Sequence, residues 1–193
     1  MTLSQIKELA VKLIDEYSNN SNLTDDEDIR LKLNGLCNLG QIELSLIKKI
    51  KKTYEFSIDE ESETEYNVIA LPENYMEENR MRYYSSNGSL LNYYIQDNKL
   101  KIHKDCLGNF EFEYFAKPQE ITNETDDGYE LEIDLEAQQV LPYYVASDIL
   151  KSDVSANYTA FEAKYNAKLE ILMNSVKKED NGLITINQMI GNL

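Results

Sequence analysis

Few side chains in this chain have the types and spacing that chemistry needs. His103 is the only histidine, so a serine- or cysteine-based nucleophile would have to be built around it, and neither Cys37 nor Cys106 stands in a recognisable nucleophile context. His103 alternates on the same side as Lys99 and Lys101 and away from Leu100 and Ile102, which is the pattern of a solvated strand residue. The run Asp25-Asp26-Glu27-Asp28 offers oxygens to a cation, but the glycine and terminal glutamate of a calcium loop are missing. Charge at a helix start explains it better. Gly35-Leu-Cys-Asn-Leu-Gly40 lacks the lysine and hydroxyl residue of a phosphate-binding loop. Among 35 acidic residues no spacing singles out a carboxylate pair for glycoside hydrolysis. The expectation is a chain without catalytic machinery, metal or cofactor.

Composition bounds the alternatives. The 193 residues carry 35 acidic and 19 basic groups, a formal net charge of −16. Binding nucleic acid by counterion release needs concentrated lysine and arginine, the opposite balance. Negative charge serves solubility, or a surface past which DNA slides without sticking. Two unpatterned cysteines read as free thiols. The first residues, "MTLSQIKELAVKLIDEY", are charged throughout and do not read as a signal peptide. No apolar run approaches the roughly 18 residues of a membrane span.

The apolar residues are arranged by helical period at both ends. Leu3, Ile6, Leu9, Ala10, Leu13, Ile14 and Tyr17 form one stripe, with Thr2 and Gln5 spaced as a capping box. A second helix opens on a capping box at Thr24 and Glu27 and closes in Lys48-Lys-Ile-Lys-Lys52. It is apolar on two sides. Ile29, Leu33, Leu36, Gly40, Leu44 and Ile47 line one face; Leu31, Gly35, Leu39, Ile42, Leu46 and Ile50 line the other. A helix of that kind must be covered twice. Glycine costs about 1 kcal/mol against alanine in a helix interior, so Gly35 and Gly40 point to close backbone approach.

From about Thr53 to Lys117 the period changes to two. Tyr66, Val68 and Ala70 alternate ahead of a turn at Pro72 and Asn74, and Met81 to Tyr84 is a further strand. Leu90 to Gln96 and Lys99 to Lys104 flank Asp97-Asn98, a two-residue hairpin turn. Phe110, Phe112, Tyr114 and Ala116 alternate with Glu111, Glu113 and Phe115. An acidic loop then leads to a helix near Leu135, which Pro142 should kink or restart. The last helix starts near Ser155 with a large-residue stripe (Tyr158, Phe161, Tyr165, Leu169, Leu172, Val176) beside a small one (Ala156, Ala160, Ala163, Ala167). Lys177 and Lys178 should close it, with Gly182 breaking it.

The expected class is α+β: a helical bundle from the N- and C-terminal helix pairs, with an antiparallel β-sheet or small sandwich inserted between them. The helical domain would comprise 1–52 and 135–178, the β insertion 53–134, and a docking tail 179–193. That tail is apolar at Leu183, Ile184, Ile186, Met189 and Ile190, whereas free ends are usually polar.

The order of these phrases resembles head–tail adaptor (connector) proteins of tailed bacteriophages. The β region opens on Tyr66-Asn-Val-Ile-Ala-Leu-Pro-Glu-Asn-Tyr75 and exits on Tyr114-Phe-Ala-Lys-Pro-Gln-Glu-Ile121; the late helices read "LPYYVASDIL" from Leu141 and "FEAKYNAKLEIL" from Phe161. The resemblance covers nearly the whole chain through short phrases, and the β insertion is larger than in the smallest, almost all-helical adaptors. It implies a ring of identical subunits, usually dodecameric, beneath the portal of the capsid. That ring extends the DNA channel without binding DNA specifically and offers its lower face to tail or stopper proteins. The implied location is the virion neck, with the host cytoplasm before assembly and no membrane. Leu31, Gly35, Leu39, Ile42, Leu46, Ala156, Ala160, Ala163 and Ala167 would then pack helices or neighbouring subunits, and the tail residues would dock on the portal or a neighbour. The competing readings are an acidic nucleic-acid mimic aimed at a host protein, and a carboxylate-based hydrolase of cell-wall glycans.

Overall fold

The computed structural model describes the backbone of residues 1–14, 27–151 and 158–190, and the side chains of 1–14, 32–151 and 158–178. The protein is α+β. Among the described residues it has helices α1 (Leu3–Ile14), α2 (Glu27–Ile47), α3 (Leu135–Lys151) and α4 (Tyr158–Ile190). Between α2 and α3 in sequence come strands β1 (Ile50–Ile58), β2 (Tyr66–Ala70), β3 (Tyr75–Ser85), β4 (Tyr93–Gln96), β5 (Lys99–His103) and β6 (Gly108–Ala116). The chain divides into a helical unit, Met1–Lys49 with Pro118–Leu193, and a β unit, Ile50–Lys117.

In the helical unit α3 is central. It packs against α1, α2 and α4 and buries Ala137, Val140, Leu141, Val145, Ala146 and Ile149. α1 contributes Leu3, Ile6, Ala10 and Val11, and its start is the reciprocal capping box that its spacing announces. The Gln5 amide N–H donates to Thr2 Oγ1 (3.3 Å), and the Thr2 N–H to Gln5 Oε1 (3.0 Å). The capping box at Thr24 and Glu27 lies outside the described side chains. α2 buries Leu33, Cys37, Gly40 and Leu44 on one side. At Gly40 a Cβ would meet Leu141 Cδ1 at 2.4 Å and Tyr144 Cδ1 at 2.6 Å, so glycine sets the α2–α3 approach; at Gly35 a Cβ would meet nothing within 4 Å.

The acidic stretch 118–134 belongs to this unit and not to the β insertion. Ile121, Leu131 and Ile133 are buried. α2 holds the stretch with amides spaced four and three residues apart: Asn34 donates to the Thr122 carbonyl (2.8 Å), Asn38 accepts from the Ile121 N–H (2.9 Å), and Gln41 donates to the Gln119 carbonyl (2.7 Å). Gln138 of α3 donates to the Leu131 and Ile133 carbonyls. Irregular backbone can be buried only with such partners.

In the β unit the sheets are two, each three-stranded and antiparallel, ordered β1-β6-β3 and β2-β5-β4. β6 alternates as its sequence predicts. Phe110, Phe112, Tyr114 and Ala116 are buried, with Phe56 and Tyr83 stacked on the Phe110 ring at 5.0 and 4.7 Å. On its other face Glu113 accepts from Asn79, Lys51 and Arg82. The β4–β5 turn places Asp97 and Asn98 at φ 52° and 56°, the left-handed pair of a type I′ hairpin.

Four sequence expectations are corrected. The lysines of "KKIKK" do not all close α2: the helix stops at Ile47 and Ile50 begins β1, because Ile50, Lys52, Tyr54, Phe56 and Ile58 alternate toward the β6 core. The unit boundaries therefore fall at 49/50 and 117/118. Of the kink or restart expected at Pro142, no restart occurs. The residue lies within Leu135–Lys151 and is itself buried, so packing on either side offsets the roughly 3 kcal/mol a helix-interior proline costs. Gly182 does not break α4, which continues to Ile190; a single glycine costs only about 1 kcal/mol.

Candidate assembly surfaces

The side chains with chemical potential are held in structural roles. His103 lies on β5, its Nδ1 3.3 Å from Asp105 Oδ2 and its ring edge-on to Tyr66 at 5.7 Å. Both cysteines are free and buried. Burial pushes the Cys37 thiol up to about 12, so it stays protonated and unreactive at neutral pH. Cys106 Sγ points to the Leu90 carbonyl at 3.3 Å. Among the described residues no group of three His, Cys, Asp or Glu could hold a metal ion. The run Asp25–Asp28 lies outside the described side chains.

Exposed apolar surface among the described residues is the more informative feature. On α2, Gly35, Leu39, Ile42 and Leu46 succeed one another at intervals of four, three and four residues, which draws a straight line along a helix. Leu39 is 56% exposed, Ile42 42% and Leu46 59%, while Leu33, Cys37, Gln41 and Leu44 on the opposite side of the same helix are buried. Single exposed leucines are ordinary; Leu39, Ile42 and Leu46 in line form a continuous apolar strip on the described surface of α2. Leu31, assigned to this line, lies outside the described side chains.

α4 is fixed on its inner side. Tyr165 is buried, edge-on to Tyr144 at 5.5 Å, and its hydroxyl donates to Glu43 Oε1 at 3.0 Å. Burial, then the bond to Glu43, holds this phenol well above its usual range. Leu172 is buried too, and Ser175 Oγ donates to Glu136 at the start of α3 (2.7 Å). Glu136 also accepts from Lys48 (3.0 Å), and these two partners hold its carboxyl below the ordinary range. Ala160, Ala163 and Ala167 face outward and are exposed, and Ile171 continues that side at 65% exposure. Beside them lies a hollow of about 270 Å³ lined by Leu13, Tyr143, Lys164, Ala167, Lys168 and Ile171. Ala156 lies outside the described residues.

Because α3 and α4 are antiparallel, the α3 start meets Ser175 and the α3 end meets Glu162. The α4 segment 176–190 therefore outruns α3, by about 22 Å at 1.5 Å per residue. Leu183, Ile184, Ile186, Met189 and Ile190 belong to it; their side chains lie outside the described residues. No described helix is long and apolar enough to cross a membrane.

Sequence reading missed the exposure of Leu90, Ile171, Met173 and, at the start of α3, Leu135. Ile171 sits on α4 beside the alanine line, Met173 is exposed on another side of that helix, and Leu90, 90% exposed, precedes β4. Ile171 was legible as the next step after Ala160, Ala163 and Ala167; Leu90 carried no periodic signal. No protein-family model matches the chain, and no curated protein does.

Proposed function

We propose that the protein is a virion structural subunit, a head–tail adaptor that closes into a homo-oligomeric ring beneath the portal. There it extends the DNA channel and presents a docking surface to tail, neck or stopper proteins. One observation carries this reading: the Leu39–Ile42–Leu46 line stands exposed on a helix whose other side is buried. A closed ring joins two different surfaces of one molecule. Two suitable surfaces lie on the helical unit, the large-residue line of α2 and the alanine line of α4 with its hollow. Large side chains from one copy fit against small ones on the next.

The remaining features take consistent places. The apolar end of α4 reaches past α3 toward the portal or a neighbour. A net charge of −16 leaves a lumen that repels phosphate, so DNA passes without being held. The dodecameric count follows from the family resemblance, and the subunit works without cofactor or catalysis. Mass measurement of the purified protein, alone and with portal, tests the proposal. Ring-sized species lost in a Leu39→Ser/Ile42→Ser/Leu46→Ser variant that keeps its helical content support it. A wild-type monomer that never joins portal or particle removes it.

A further inference from the structure

The β2-β5-β4 sheet has one dry face and one wet one. Leu100 and Ile102 of β5 are fully buried. On the other face Lys99, Lys101 and His103 of β5 alternate outward, and the register sets them between β2 and β4. Lys101 lies between Val68 and Tyr94, Lys99 between Ala70 and Gln96, and His103 beside Tyr66. Tyr66 and Tyr94 meet edge to face at 5.2 Å. Lys101 Nζ stands 5.4 Å from the Tyr94 ring centroid and donates to Gln96 Oε1 at 2.8 Å. Val68 is 53% exposed and Tyr94 40%. Among the described residues neither Lys99 nor Lys101 makes an ion pair, on a chain where acidic groups outnumber basic ones 35 to 19. A face with two ammonium groups outside any ion pair, Lys101 flanked by Val68 and Tyr94 and Lys99 by Ala70 and Gln96, has the charge and apolar surround that suit an anion-bearing segment.

The same unit supplies such a segment. Asp59-Glu-Glu-Ser-Glu-Thr-Glu65 joins β1 to β2. Hydroxyl hydrogen bonds hold it in shape, Ser62 with Thr64 at 2.9 Å and Thr64 to the Tyr66 carbonyl at 2.9 Å. Asp59, Glu60, Glu61 and Glu63 are exposed, and among the described residues none of them is in an ion pair. The loop enters β2 at Tyr66, whereas Lys99 pairs with Ala70 at the strand's other end, about 13 Å away at 3.3 Å per residue. Lys99 thus sits at the end of the sheet opposite the loop, with Lys101 at mid-strand beside Val68.

We infer that the Lys99–Lys101–Tyr94–Val68 face receives the acidic 59–65 loop of a second copy of this chain. The contact is head-to-tail, and like-for-like repetition of it suits a ring. The inference rests on the ring reading above and adds a charged contact in the β unit to the apolar one on the helices. A nucleic-acid occupant fits the face less well, because the surrounding charge is strongly negative.

A charge-swap series tests it, read by the mass of the assembled species at low and high salt. Lys99→Glu/Lys101→Glu should weaken wild-type self-association by about tenfold, roughly the worth of one good charged contact. Glu60→Lys/Glu61→Lys/Glu63→Lys should weaken it comparably. The variant carrying all five substitutions should recover assembly, which also excludes misfolding as the cause. Added salt should weaken the wild-type contact and the swapped one alike. Unchanged assembly of the lysine-reversed variant overturns this inference alone. So does a single-stranded oligonucleotide that binds wild type and loses affinity when the lysines are reversed, with assembly unaffected. A wild-type protein that is monomeric at every salt concentration overturns this inference and the ring reading together.

Discussion

Gly35 and Gly40 lie on one helix, and the same substitution at each should have opposite effects. Alanine in place of glycine gains about 1 kcal/mol of helix propensity at both positions. At Gly35 nothing lies within 4 Å of the new methyl, so Gly35→Ala should stabilise the helical unit by about that amount. At Gly40 the methyl falls 2.4 Å from Leu141 Cδ1 and 2.6 Å from Tyr144 Cδ1, where ordinary contact begins at 3.4 Å. Leu141 is fully buried and its methyl has no solvent to withdraw into. The Tyr144 atom belongs to a rigid ring that packs on Tyr165. Overpacking of this kind costs about 1–3 kcal/mol. Because the propensity gain is shared, the stability gap between the two variants isolates the overpacking cost, about 2 kcal/mol on this scale. Urea unfolding followed by helical circular dichroism measures that gap from the two midpoints. A Gly40→Ala protein as stable as Gly35→Ala would refute the α2–α3 packing described above.

Three further outcomes follow from the interior. Burial, first of all, raises the Tyr93, Tyr165, Tyr144, Tyr75 and Tyr129 phenols above their usual value. Unfolded tyrosines release their protons first as pH climbs past about 10, so stability should be intact below that pH and fall above it; parallel titration of phenolate absorbance and circular dichroism should show unfolding and ionisation together. The Lys51 ammonium, then Arg82, holds Glu113 below the carboxylate range, so its contribution is present at neutral pH and disappears as pH falls through that lowered value. Glu113→Gln should cost about 1 kcal/mol at pH 7, since Lys51 and Arg82 stay more than a third exposed, and should flatten the acid limb of the stability curve. Cys37 should resist alkylation in the folded protein at pH 8 and react fully once urea unfolds it, as counted by intact mass.

What could be read from the sequence was local. Thr2 with Gln5, Asp97 with Asn98, and the Phe110–Ala116 alternation each specify their geometry within a few residues, and the structure contains all of them. The exposure of Leu39, Ile42 and Leu46 followed from a helix apolar on two sides with only one side buried by its own fold. What escaped was decided by distant partners. The amides Asn34, Asn38 and Gln41 look like polar interruptions of a core face, and only the loop 119–122 gives them their purpose. Lys51 and Lys52 read as the end of a helix because lysines favour C-termini, yet the alternation from Ile50 to Ile58 commits them to β1. Pro142 and Gly182 carry strong local penalties that are smaller than the burial or helix continuity around them. The Lys99–Lys101 face was half legible: the lysines and His103 alternate outward, but the Tyr94 and Val68 beside them come from strands that only pairing brings together.

The most direct test of the assembly account is the solvent accessibility of Leu39, Ile42 and Leu46 in the protein's native assembled state. Single-particle imaging of the purified subunit with portal would measure it. The account predicts a closed ring in which the α2 line of each copy is covered by α4 of the next. A particle lacking this subunit, with the isolated chain remaining monomeric and the three side chains open to water, would contradict it.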